Sequence, residues 1–221
     1  MIGDALSLNP ALYLFVPFAF LLGSVPFGII FTRKQGVDIR SVGSRNIGAT
    51  NVLRAAGKKS ALLTLLGDVI KGLFPVLICS MVISRMDISG PPELAGVARD
   101  FWMGVTGISA VLGHMLSIFL SFRGGKGVAT GFGVLLIYSP AVAGIILLIW
   151  LVTAVIFRYS ALAALVAVSA MPFLFVLTKS SSVKVAAGTI IAALILYRHK
   201  SNIRNLLSGT EDKIGEKHGE E

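Results

Sequence analysis

Gly43-Ser44-Arg45-Asn46-Ile47-Gly48-Ala49-Thr50-Asn51-Val52-Leu53-Arg54 is a polar, glycine-bearing stretch set between two long apolar segments. Ser44, Asn46, Thr50 and Asn51 supply hydroxyl and amide groups, and Arg54 supplies a permanent charge with a planar fork of donors. A second stretch, Phe122-Arg123-Gly124-Gly125-Lys126-Gly127-Val128-Ala129-Thr130, repeats the pattern of glycines, a basic residue and then an apolar helical run. Both read as places where a phosphate is held at the water-facing edge of a membrane. The remainder of the chain reads as the scaffold that brings them together.

The 221 residues are 55% hydrophobic, with a mean hydropathy of +0.83. Soluble domains of this size rarely reach such values, and the long apolar runs point to a membrane protein. No Pro/Gly/Ser-rich linker divides the chain, so residues 1–221 are expected to form a single membrane domain. Twenty Lys+Arg against eleven Asp+Glu leave a net charge of +9. Basic loops confined to one side of a bilayer explain that excess better than a nucleic-acid partner. The lone cysteine, Cys79, lies in an apolar run and excludes an intrachain disulfide or a cysteine zinc site. Residues 1–9 carry Asp4 and no Lys or Arg, unlike the basic start of a secretory signal.

Hydropathy and turn signals predict an all-α, polytopic integral membrane protein of seven transmembrane helices. The first runs over about 10–32 with a bend at Pro26, and the first cytoplasmic loop covers about 33–59, with a short interfacial helix over 46–56. Further spans are expected over about 60–84, 101–119, 127–138, 141–157, 161–178 and 183–197. The external loop 85–100 contains Pro91-Pro92. Cytoplasmic loops at about 120–126 and 158–160 and a cytoplasmic tail at about 198–221, fraying toward its end, complete the drawing. The run 127–138 is short for a ~30 Å core at ~1.5 Å per residue, and crosses only if its start is recessed into the protein.

Charge tests this topology. The cytoplasmic segments hold fifteen Lys/Arg: seven in the first loop, Arg123 and Lys126, Arg158, and five in the tail. Four are external (Arg85, Arg99, Lys179, Lys184), and Lys71 lies within a span. This asymmetry places the N-terminus outside and the C-terminus in the cytoplasm. Both glycine-rich basic stretches fall on the cytoplasmic side.

Gly124-Gly125-Lys126-Gly127 opens a helix, where free backbone N–H groups and the helix dipole favour an anion and Lys126 adds a point charge. It is no Walker A motif, and a flexible basic turn is the alternative reading. Thr50, Asn51 and Arg54 share one helix face, which also suits an interfacial helix contacting lipid headgroups. Ser160 reads as an N-cap, and His199 and Asn202, three apart, can point together or lie in solvent. Asp68 and Lys71 sit at i, i+3 deep in the second span and are expected to pair as a structural support, with His114 a packing histidine. Neither a G-x-S-x-G elbow, nor H-E-x-x-H metal spacing, nor a cytoplasmic pair of acidic residues with evident partners is present, so no nucleophile, metal or cofactor is expected. Such a site would position reactants that are already activated.

Gly23-Ser24-Val25-Pro26-Phe27-Gly28, the run from Gly36 to Gly57, Asp68-Val69-Ile70-Lys71-Gly72, Phe122 to Thr130 and Arg198-His199-Lys200-Ser201-Asn202-Ile203 stand in the order of the motifs of a known family. The chain resembles the bacterial acyl-phosphate:glycerol-3-phosphate acyltransferases over nearly its whole length. The resemblance implies an inner-membrane enzyme, its active site facing the cytoplasm, that moves a fatty acyl group from acyl phosphate to the 1-position of glycerol 3-phosphate. The products are lysophosphatidic acid and phosphate, the first step of phospholipid synthesis. By motif match, Ser44, Arg54, Lys126, Ser160, His199 and Asn202 correspond to substrate-contacting residues, and Gly43, Asn46, Thr50 and Asn51 shape the first loop. Implied partners are the two substrates, membrane lipid and a soluble enzyme that makes acyl phosphate. An organophosphate or anion transporter using the same basic pockets is the leading alternative, followed by a basic lipid-binding scaffold. No internal repeat of the transporter kind is evident.

Overall fold

The computed structural model describes residues 2–7, 9–33, 35–88 and 90–215, and every regular element among them is helical. The expected fraying toward Glu221 concerns residues 216–221, outside the described residues.

After a short α1 (Ile2–Ser7) and a 3-10 turn (Pro10–Leu14), the first apolar run is divided into α2 (Phe15–Ser24) and α3 (Phe27–Arg33). The sequence predicts one bent helix here. Instead Pro26, which lacks an N–H and disfavours helical geometry in the residue before it, breaks the helix: Val25 turns to ψ 120°. The Val25 carbonyl, released from the helix, accepts from the Phe27 amide at 3.2 Å and from the Lys71 ammonium at 2.8 Å. Broken backbone inside a bundle survives where a neighbour supplies the missing bond.

Helix α4 (Ala49–Ile83) starts three residues later than expected and continues into the second span. Gly57, at φ 79° and ψ 179°, kinks it there, a conformation that side-chain-bearing residues rarely adopt. Residues 49–56, expected as a separate helix, are thus the first two turns of α4. Helix α5 (Pro92–Met115) begins inside the expected external loop, with Pro92 at its first position, where a missing N–H costs nothing. Next come α6 (Val128–Tyr138), α7 (Pro140–Phe157), α8 (Ser160–Leu177), α9 (Ser182–Arg198) and α10 (Lys200–Leu207). Ser160 is the first residue of α8, not its cap; Tyr159 holds the cap position and makes no capping bond through its side chain.

Five segments among the described residues are long and apolar enough to cross a membrane: Pro10–Arg33, Ala49–Ile83, Glu93–Leu120, Pro140–Phe157 and Ser160–Leu177. Helix α9 joins them as a sixth when taken with α10, across a 58° bend. Helix α6, of 11 residues, spans only about 16 Å at ~1.5 Å per residue.

The closest helix pairs meet through small residues. A side chain at Gly72 would strike the Thr130 carbonyl, and one at Gly133 the Val69 carbonyl, so α4 and α6 lie backbone to backbone. Gly23 and Gly113 do the same for α2 and α5. Between hydrocarbon-bathed helices such packing replaces the hydrophobic effect as the source of association. Trp102, Tyr138, Met171, Phe175, Ile191 and Ile195 fill the centre. Leu148, Val155, Phe173 and Leu177 stay largely exposed, an apolar exterior suited to lipid. Asp68 and Lys71 pair as expected, at 2.7 Å, with the His114 ring 3.6 Å from the same carboxylate oxygen.

Candidate active site

The 39–51 loop is organised by one side chain. The carboxamide of Asn51, buried, donates to the carbonyls of Ile39, Val42 and Asn46 at 2.9–3.1 Å and accepts from the Ser44 amide at 3.1 Å. Both N–H groups of the carboxamide are spent on the loop and one acceptor position of Oδ1 on Ser44, so Asn51 builds the loop while lining the cavity itself. Gly43, at φ 55°, leaves room for that carboxamide and lies outside the cavity lining. The loop delivers Ser44 and Asn46 to the cavity, and the first turns of α4 deliver Thr50 and Arg54.

The Gly124–Gly127 turn is held from two sides. Arg198 donates to the Gly124 carbonyl at 2.7 Å and the Gly125 carbonyl at 3.2 Å. The Gly124 and Gly125 amides donate to Met115 and His114 carbonyls, both at 3.0 Å. This corrects the expectation of free amides there: Gly124 and Gly125 are spacers, a side chain on either meeting His114. The donors that remain belong to the first turn of α6, whose N–H groups have no intrahelical partners; Gly127, Val128 and Ala129 line the cavity. Gly127, at φ 85°, turns the chain into that helix.

One cavity of about 450 Å³ collects these pieces, within the usual ~300–1,000 Å³ of small-molecule sites. Its polar end holds Ser44, Asn46, Thr50, Arg54, Lys126, Ser160, His199 and Asn202. The Thr50 and Ser160 hydroxyls are 3.1 Å apart, joining the start of α4 to the start of α8. The other end is apolar, running past Leu65, Leu66, Phe132, Leu147, Trp150 and Met171. Leu65, Leu66 and Leu147 are also among the exposed apolar side chains, so this end borders the apolar exterior. Asp68 and His114 border the same cavity, whereas Lys71 does not. A second hollow, lined by Arg40, Arg45, Phe119 and Arg123, lies beyond Gly124 and shares only that residue with the expected site.

Burial pushes the Lys126 ammonium below the usual lysine range; nearby Glu211 opposes the shift, while Arg54 and Arg198 add to it. His199 is pushed down to about 4 by burial, with Lys126 adding and the Ile195 carbonyl opposing. Its Nδ1 lies 2.8 Å from that carbonyl. A carbonyl only accepts, so Nδ1 carries the proton and Nε2 presents a lone pair. The imidazole is therefore a neutral acceptor at ordinary pH.

Two carboxylates enter the site unforeseen. Asp212 contacts Arg54 at 3.0 Å, and Glu211 accepts from Asn202 at 2.7 Å. This corrects the reading that no cytoplasmic acidic pair finds partners. The segment Gly209-Thr210-Glu211-Asp212 offers no signal beyond adjacent acids in a polar tail. Among the described residues no three His, Cys, Asp or Glu side chains group as a metal site.

The glycerol-3-phosphate acyltransferase family model matches residues 13–209. The chain belongs to the glycerol-3-phosphate acyltransferase family. It is 43% identical to a Geotalea daltonii glycerol-3-phosphate acyltransferase over 88% of this chain and 93% of that one. It is 45% identical to one from Rubrobacter xylanophilus over 93% and 96%. Among solved structures it resembles PlsY (YgiH), an integral membrane glycerol 3-phosphate acyltransferase. The glycerol 3-phosphate form superposes with a TM-score of 0.83 at 39% identity, covering 93% of this chain and 96% of that one. The lysophosphatidic acid form gives 0.81 at 38%, with the same coverage. The protein is thus a membrane-embedded acyltransferase of phospholipid synthesis.

Proposed function

We propose that the protein transfers a fatty acyl group from acyl phosphate to the 1-hydroxyl of glycerol 3-phosphate, releasing lysophosphatidic acid and phosphate. The observation that carries this reading is the meeting of Arg54 and Lys126, from segments far apart in sequence, at the polar end of a cavity whose other end is apolar. Such a cavity suits two phosphorylated reactants, one of which carries a hydrocarbon chain. PlsY structures in glycerol 3-phosphate and lysophosphatidic acid forms support the acceptor and product.

Acyl phosphate is a mixed anhydride, so attack by a hydroxyl needs alignment and charge neutralisation more than a protein nucleophile. Arg54, Lys126 and the first-turn amides of α6 clamp the phosphates. Arg54 spends three N–H groups on Asp212 and Lys213 and keeps two of its five for a ligand. Ser44, Thr50, Ser160 and Asn202 place the glycerol backbone, and His199 Nε2 accepts the hydrogen bond of the attacking hydroxyl. As the new C–O bond forms, the acyl–phosphate bond breaks, phosphate leaves with the electron pair, and the hydroxyl proton passes to a substrate phosphate. No acyl-enzyme forms.

The accompanying topology is a single domain of seven spans in a bacterial inner membrane, with the amino terminus outside and the site facing the cytoplasm. Helix α6 serves as the short crossing whose start is recessed, and the soluble producer of acyl phosphate is a candidate partner at that face. The test is phosphate release from palmitoyl phosphate and glycerol 3-phosphate by purified protein, with Arg54→Ala and Lys126→Ala as controls. Uptake of labelled glycerol 3-phosphate into proteoliposomes without acylation would overturn the reading in favour of transport.

A further inference from the structure

Residues 208–215 cross the polar end of the cavity as a strap tied to three elements. Gly209, at φ 71°, turns the chain after α10, and the Thr210 amide donates to the Asn205 carbonyl at 2.8 Å. Asp212, by side chain and carbonyl, and the Lys213 carbonyl engage Arg54 at the start of α4. Ile214 exchanges two bonds with Arg158 in the α7–α8 turn: its amide reaches the Arg158 carbonyl at 2.6 Å, and its own carbonyl accepts from the guanidinium at 3.1 Å. The family match ends at residue 209, so these acids lie beyond it.

Glu211 sits where an orienting group is needed. Its Oε1 accepts from Asn202 Nδ2 at 2.7 Å. A carboxylate beside an amide forces the NH2 side toward itself, because the amide oxygen would meet it as one acceptor against another. The Asn202 Oδ1 is thereby fixed on the other side, buried and without a hydrogen-bond partner among the described residues. A buried acceptor without a partner is rare and calls for an explanation. In a cavity taken to hold a glycerol backbone, that explanation is a ligand hydroxyl.

Resting on the function proposed above, we infer that Glu211 is a positioning residue for acyl transfer: it locks the Asn202 carboxamide so that Oδ1 receives a hydroxyl of glycerol 3-phosphate, and the strap is thus part of the acceptor subsite. Glu211 acts through Asn202 and does not touch the reacting atoms.

The test uses full-length purified protein, with folding followed by its thermal midpoint. Unmodified protein must release phosphate from palmitoyl phosphate only when glycerol 3-phosphate is present; absence of that activity refutes the parent reading independently of Glu211. With activity established, Glu211→Ala is expected to raise KM for glycerol 3-phosphate roughly tenfold, the size of effect found for groups that orient a binding side chain. KM for palmitoyl phosphate should hold. Glu211→Gln, whose amide oxygen still accepts from Asn202, should restore most of the loss, and Glu211→Ala with Asn202→Ala should be no worse than Asn202→Ala alone. Where the alanine variant does not fold, Glu211→Asp, shorter by one methylene, serves in its place with the same expected rise. Unchanged KM in the folded variant, equal damage in Glu211→Gln, or losses that multiply in the double variant would each overturn the inference.

Discussion

The two ends of the helical bundle treat charge in opposite ways. At the end away from the cavity, Asp100 accepts from Ser181 at 2.6 Å and lies 3.4 Å from Lys184, whose ammonium stands 5.5 Å over the Tyr138 ring. Tyr138 in turn donates to the Asp100 carbonyl at 2.9 Å. Every partner there comes from the helices or the turn they already share, and the knot fastens α5, α6 and α9. At the cavity end, Arg54 is matched only by the tail strap, and Lys126 has no carboxylate within ion-pair distance among the described residues. A cation balanced by its own bundle is structure; one left to a strap or to nothing is available to a ligand.

That contrast is open to direct attack. Arg54→Ala and Lys126→Ala are expected to cut turnover by about 10²–10³, the cost of removing a preorganised donor to a developing anion; the thermal midpoint should hold for Lys126→Ala and fall modestly for Arg54→Ala, which also releases the strap. Lys184→Ala, at the other end, should leave turnover within about twofold, as for a partly exposed pair. Equal kinetic loss at both ends would erase the distinction. The deep pair sharpens it: Lys71→Ala strands Asp68 in the interior and should cost about 3–5 kcal/mol of stability, read as a large drop in thermal midpoint. Asn51→Ala removes the loop's organiser and should cost about 1–3 kcal/mol, with a rise in KM for glycerol 3-phosphate as Ser44 loses its register.

His199 gives a pH test. Its pKa falls from the usual 6.5 to about 4 on folding, so the unfolded chain takes up the extra proton. The neutral form therefore stabilises the protein fully above about pH 6.5, and this is lost as pH falls toward 4. Turnover should show no inflection from this group between pH 5 and 8; an inflection near 6.5 that disappears in His199→Ala would place the ring in solvent. The smallest effect expected is that of Ser181→Ala, about 1 kcal/mol from one hydrogen bond, with no change in kinetics.

Much of this design is legible in the sequence because it is local. Apolar length marks the long helices, Pro140 separates α6 from α7, and the lysine and arginine bias gathers the two basic stretches at one end. The Asp68–Lys71 pair follows from spacing alone. What escapes the sequence is long-range. Asp212 meets Arg54 across 158 positions, and no local periodicity encodes that pairing. The spent amides of Gly124 and Gly125 depend on where the end of α5 happens to lie, and Asn51 turns inward because three loop carbonyls need a donor. Even the loss of a continuous first helix, foreseeable as a bend at Pro26, takes its final form only because Lys71 from another helix stands ready at the freed carbonyl.

A hollow bordered on one flank by the apolar exterior and on the other by water samples two concentrations in different units. In the reaction proposed above, one reactant is counted per area of bilayer, the other per volume of solution. Diluting the enzyme's membrane with inert lipid should therefore slow it at constant bulk composition, and its rate becomes a gauge of how crowded the surrounding leaflet is with donor.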